Sequence, residues 1–91
     1  MEILHYNILV KGKVQGVWFR KYTKERAEAL SLNGIVRNNF DNSVYIEVEG
    51  TKPNLKHFTD WLYQGSPMSN VTDVNFEQGT LQNFTCFEIS Y

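Results

Sequence analysis

Between Gly12 and Arg20 the chain reads Gly-Lys-Val-Gln-Gly-Val-Trp-Phe-Arg, and residues of these types at this spacing could hold an anion. The two glycines allow the connecting backbone positive φ. Arg20 ends the stretch, and Lys21 and Lys24 follow it. Where such a loop feeds a helix, the unpaired N–H groups of the first turn converge on one spot, and the helix dipole favours negative charge there. Acidic side chains are what that dipole prefers in a first turn, so three basic ones break a local rule. A phosphate or carboxylate in the loop, with Arg20 closing over it as a two-pronged donor, accounts for the pattern. A plainer reading stands beside it: basic residues on helix surfaces are usually solvated, and glycine-containing turns from strand to helix are common. The spacing is neither Gly-x-x-x-x-Gly-Lys-Ser/Thr nor Gly-x-Gly-x-x-Gly.

The flanking elements must present this loop. Alternating Tyr6, Ile8 and Val10 predict a strand over 6–11 with those three residues inward. Helical spacing of Phe19, Tyr22, Arg26, Ala27 and Leu30 predicts a helix from about Phe19 to Leu32, stopped by Asn33-Gly34. A short strand over 35–38 and a clear one over 44–49 flank the turn residues Asn39 to Ser43, which reads as a hairpin. Val44, Ile46 and Val48 alternate there with Tyr45, Glu47 and Glu49, expected to be exposed. A second helix starts near Pro53, carries the apolar stripe Leu55, Phe58, Trp61 and Leu62, and ends at Gly65-Ser66-Pro67. Strands over 71–77 and 85–90, joined by a turn containing Gly79, complete the pattern. The order β-α-β-β-α-β with one additional strand predicts an α+β, ferredoxin-like split βαβ sandwich. Its antiparallel sheet of four to five strands would carry two helices on one face. Residues 1–91 read as one domain, without repeat or linker.

Other reactive side chains are sparse. His5 is expected on the solvent face of the first strand and His57 on the second helix, neither at metal-ligand spacing. Cys86 alternates within a strand, where a buried, inert thiol is the ordinary outcome. As the single cysteine it forms no internal disulfide, which fits a reducing, cytoplasmic setting. No serine lies in a nucleophile motif. Chemistry here would therefore work by positioning and electrostatics rather than through a covalent intermediate. In Gly34-Ile35-Val36-Arg37-Asn38, a strand end delivers Asn38 to the start of a turn. Its amide could accept from one side and donate from the other, which suits holding a water in line with a phosphorus; it could equally just stabilise the turn.

The composition, 42% apolar and 21% charged, is that of an ordinary globular protein, with no membrane-length apolar run and no signal-peptide pattern at the start. A net charge of −1 argues against a dedicated nucleic-acid binder. The charge is unevenly spread: six basic residues and one acidic lie between Val10 and Arg26, but two basic and seven acidic from Asp41 onward. Positive potential thus gathers at the loop, where it could draw in a small anion.

Val-Gln-Gly-Val-Trp-Phe-Arg at 14–20 followed by Gly-Ile-Val-Arg-Asn at 34–38 closely resembles the two signature segments of acylphosphatases. Val48-Glu49-Gly50, Gly65-Ser66-Pro67 and the chain length also look like that family. The resemblance implies hydrolysis of the carboxyl-phosphate bond of acyl phosphates, with no metal or organic cofactor. It implies that Arg20 binds the phosphate with the loop amides of Gln15, Gly16, Val17, Trp18 and Phe19, and that Asn38 orients the attacking water. Three positions depart from the pattern: Ile35 stands where Trp is common, Asp41-Asn42 where Asp-Gly is frequent, and Trp18 where another aromatic often sits. An acyl phosphate leaves as a carboxylate, so no general acid is required, and charge on the equatorial oxygens suits a ring of N–H donors with one guanidinium.

Three other readings remain. A non-catalytic anion-binding or regulatory domain would keep the loop, although the presence of both Arg20 and Asn38 speaks against it. A single-stranded RNA-binding module would need exposed aromatics on the central strands, where Glu47 and Glu49 are expected instead. A module of a larger maturation enzyme is disfavoured by the self-contained length. Expected partners are a small acyl phosphate or inorganic phosphate, with no nucleic acid and no membrane, and small size without an apolar surface stripe favours a monomer.

Overall fold

The computed structural model describes residues 2–91. The chain forms β1 (Ile3–Lys13), α1 (Phe19–Ala29), β2 (Asn33–Asn38), β3 (Val44–Thr51), α2 (Lys52–Gln64), β4 (Asn70–Gly79) and β5 (Phe87–Ile89). The five strands make one sheet in the order β4-β1-β3-β2-β5. This is the expected ferredoxin-like α+β sandwich. The sheet is mixed rather than antiparallel, because β5 pairs with β2 in parallel while every other pair is antiparallel.

Alternation assigns the two faces. Ile8 and Val10 of β1, Val36 of β2, Val44, Ile46 and Val48 of β3 and Val74 of β4 point into the core. Against them α2 lays Leu55, Phe58, Trp61 and Leu62, the stripe its 3.6-residue period predicts, and α1 adds Phe19 and Ala27. Each large apolar side chain so buried contributes roughly 1.5–3 kcal/mol. α1 packs on β2 and β5, and α2 on β3 and β4. No helix among the described residues is long and apolar enough to cross a membrane.

Several expectations are corrected. β1 is longer at both ends, and Tyr6 is only half-buried. α1 stops at Ala29, because Ser31 (φ 57°) takes the left-handed position and Asn33-Gly34 already belong to β2. Gly79 ends β4 rather than making a turn to a neighbouring strand. From there residues 80–86 cross to the far edge of the sheet over the face opposite the helices, where Glu49 holds them. His5 and Glu49, expected in solvent, lie beneath this strap at 2% and 5% exposure. Cys86, expected buried within a strand, precedes β5 and is exposed.

β3 runs antiparallel to both β1 and β2, so those two strands point the same way, and so does β5. The C-terminal ends of all three meet at one end of the sheet. That end carries the loop to α1, the tip of Asn38 and the last residues of the chain.

Candidate active site

A bulge between Lys11 and Gly12 shifts the register of β1 against β4, which then pairs Gly12 with Val71 and Lys13 with Asn70. Gly12 has φ 125°, and a Cβ there would lie 2.1 Å from the Asn70 carbonyl oxygen, so no other residue fits. Gly16 has φ 72° in open space and is required for its backbone alone. Both glycines thus have the positive φ that their type suggests. Trp18 does too, at φ 63° and ψ 15°, a conformation that costs a bulky L-residue about 1–2 kcal/mol. Loop contacts hold it there. The Ser66 hydroxyl donates to the Val17 carbonyl at 2.8 Å in a buried contact. Since C=O and N–H point oppositely across a trans peptide, the Trp18 N–H is aimed away from Ser66.

α1 begins without a side-chain cap and without an acidic residue in its first turn. Its first i−4 bond runs from the Tyr22 N–H to the Trp18 carbonyl at 3.1 Å, so the N–H groups of Phe19, Arg20 and Lys21 precede the helical ladder. Arg20 has no carboxylate partner among the described residues. Its guanidinium carbon lies 4.9 Å from the centre of the Tyr91 ring.

Asn38 shares the helix-facing side of β2 with Val36, two residues before it. Its Oδ1 is buried and accepts no hydrogen bond from any described residue. A buried amide oxygen without a donor is an uncommon expense in a native fold, about 1–3 kcal/mol. Asn38 and Arg20 line the same cavity, about 480 Å³ in volume. Buried Val14 and Phe19 form its floor, and the exposed side chains of Trp18, Lys21 and Tyr91 its rim.

The expected site residues are therefore only partly gathered. Gly16, Trp18, Phe19, Arg20 and Asn38 border this cavity, whereas Gln15 and Val17 lie outside its lining. Gln15 turns its side-chain amide onto the β2–β3 hairpin, donating to the carbonyls of Asn39 at 2.8 Å and Ser43 at 2.9 Å. It ties the loop to the turn just beyond Asn38. In that turn Asn42 takes φ 73°, so asparagine adopts the left-handed backbone that a glycine would supply. Ser66 and Tyr91 were missed. The Gly65-Ser66-Pro67 segment gave a signal for the first, as a helix end and as part of the family resemblance, but neither pointed to the Ser66 hydroxyl; a terminal tyrosine gave none.

The Cys86 thiol donates to Glu88 at 3.1 Å, and this bond, with a smaller effect of desolvation, pushes its pKa up, away from thiolate chemistry.

The acylphosphatase family model matches residues 6–89. An acylphosphatase of Bacillus licheniformis is 44% identical over 90 residues, covering 98% of this chain and all of that one. The chain belongs to the acylphosphatase family. The crystal structure of acylphosphatase from Bacillus subtilis superposes with a TM-score of 0.94 at 38% identity, covering 97% of this chain and 99% of that one. Full-length HypF in its phosphate- and nucleotide-bound form contains a similar unit, with a TM-score of 0.93 at 28% identity over 99% of this chain but 12% of the larger one. The protein is an acylphosphatase-type hydrolase, and its acyl phosphate chemistry follows from family membership.

Proposed function

We propose that an acyl phosphate binds with its phosphoryl group between Arg20 and the N–H groups of the Gln15–Arg20 loop, and that Asn38 orients the water that attacks it. The observation that carries this reading is the meeting in one cavity of a guanidinium without a carboxylate partner and a buried Asn38 oxygen without a donor, among the described residues. The guanidinium and the dipole of α1 complement charge spreading over the equatorial oxygens. The Asn38 oxygen accepts a hydrogen bond from the water and so turns its lone pair toward phosphorus. As the new P–O bond forms, the bond from phosphorus to the carboxyl oxygen breaks, and the carboxylate leaves with the electron pair.

The water must still lose a proton. The cavity lining contains no Asp, Glu or His, so a phosphoryl oxygen of the substrate takes it, giving carboxylate and dihydrogen phosphate. No covalent intermediate forms: no serine, threonine, cysteine, histidine or side-chain carboxylate lines the cavity, no such carboxylate or imidazole stands there to activate Lys21 or Tyr91, and Cys86 lies elsewhere.

The test is hydrolysis of benzoyl phosphate by the purified protein with a chelator present, together with Arg20→Ala and Asn38→Ala. Metal-independent turnover in the wild type and a loss of at least about 100-fold in each variant is expected. A folded wild type that binds phosphate but turns nothing over would instead favour the non-catalytic anion-binding domain.

A further inference from the structure

We propose that the Trp18 side chain selects the acyl group, offering aromatic acyl groups a face to lie against at the mouth of the cavity. The proposal rests on the phosphoryl position argued above. With the phosphoryl group held at Arg20 and Asn38, the rest of the substrate must leave toward the rim, where Trp18, Lys21 and Tyr91 stand. A volume of about 480 Å³ is of the size that takes a small organic ligand and not a phosphate alone.

Core packing does not explain this tryptophan, because its side chain is 70% exposed. Backbone preference opposes it, since φ 63° suits glycine. Lys21, which lines the same cavity, places its Nζ 5.5 Å from the ring centre. Tyr91, 98% exposed, adds a second ring to the same rim. An aromatic acyl group extending from the phosphate can stack offset or edge-on against such rings, whereas an acetyl group offers them little surface.

The experiment compares kcat and KM for benzoyl phosphate and acetyl phosphate in the wild type, Trp18→Gly and Trp18→Phe. Glycine suits the backbone at this position, so the first variant keeps the fold, and a thermal melt verifies it. A change common to both substrates reports the loop backbone; the ratio of their kcat/KM values reports the ring. In Trp18→Gly the preference for benzoyl over acetyl phosphate is expected to fall about fivefold to tenfold, carried by KM, with most of it restored by Trp18→Phe. A ratio unchanged by Trp18→Gly, with both substrates hydrolysed, overturns this proposal alone. A wild type that hydrolyses neither overturns the phosphoryl site beneath it as well.

Discussion

At Arg20 the side chain's shape matters as much as its charge. A planar guanidinium can fork onto two phosphoryl oxygens while its carbon stays 4.9 Å from the Tyr91 ring centre, whereas an ammonium is a point donor with no such fork. Arg20→Lys should therefore lower kcat/KM by at least about 100-fold with little change in melting temperature, measured by steady-state kinetics beside a thermal melt. Near-normal turnover would remove the clamp from the mechanism. Residue type marked Arg20, a basic group where the helix dipole prefers acid, whereas Asn38, an amide at the start of a turn, was marked only by the pairing of the two signature segments. His5 carried no comparable signal. Its burial comes from residues 80–86, far away in sequence, and a strand's own alternation says nothing about what later covers it.

Among the elements, the crossing strap decides where β5 and the chain end go. Glu49 accepts from the Gln82 N–H, from the Phe84 N–H at 3.1 Å and from His5 Nδ1 at 2.7 Å. The His5 ring stacks on Phe84 at 6.1 Å, and Asn33 donates to the Phe84 carbonyl at 3.2 Å. Beyond the strap, Phe87–Ile89 pairs with β2 and brings Ile89 and Tyr91 to the cavity. Burial pushes the Glu49 carboxyl up, but the bonds from Gln82, His5 and Phe84 together outweigh it and leave its pKa below the ordinary glutamate value. The unfolded chain thus binds that proton more readily than the folded one. The resulting stability is present above about pH 4.3 and lost as pH falls through the lower folded value. Glu49→Gln keeps one acceptor but sets an NH2 against donors, so a loss of about 2–4 kcal/mol is expected at neutral pH. Denaturant melts from pH 7 to pH 3 should also show a shallower acid limb in the variant than in the wild type; an unchanged limb and midpoint would mean that the strap is held by other contacts.

Over the whole molecule, the cavity proposed to hold the substrate sits where the C-terminal ends of the parallel-running β1, β2 and β5 meet the start of α1. Periodicity was enough to find most of this frame: the α2 stripe and the β3 alternation fall where 3.6- and 2-residue spacing put them. It could not find β5's place, because a three-residue strand pairs with whatever edge the strap reaches, and that depends on a buried carboxylate three elements earlier. The proposed anion site was legible from the glycines, the basic first turn and the paired signature segments. Its rim was not, since Tyr91 arrives there only through β5. The concentration of basic residues in the segment that includes α1 gives the same end of the molecule a field that attracts anions.

The proposed mechanism divides the labour, with Arg20 and the loop binding phosphate and Asn38 aligning water. It is tested most directly by measuring inorganic phosphate binding and benzoyl phosphate turnover on one preparation of Asn38→Ala. Phosphate affinity within about threefold of the wild type, with turnover lower by at least about 100-fold, is the predicted result. Loss of phosphate affinity in step with turnover would contradict it, making Asn38 a part of the anion site rather than the group that orders the water.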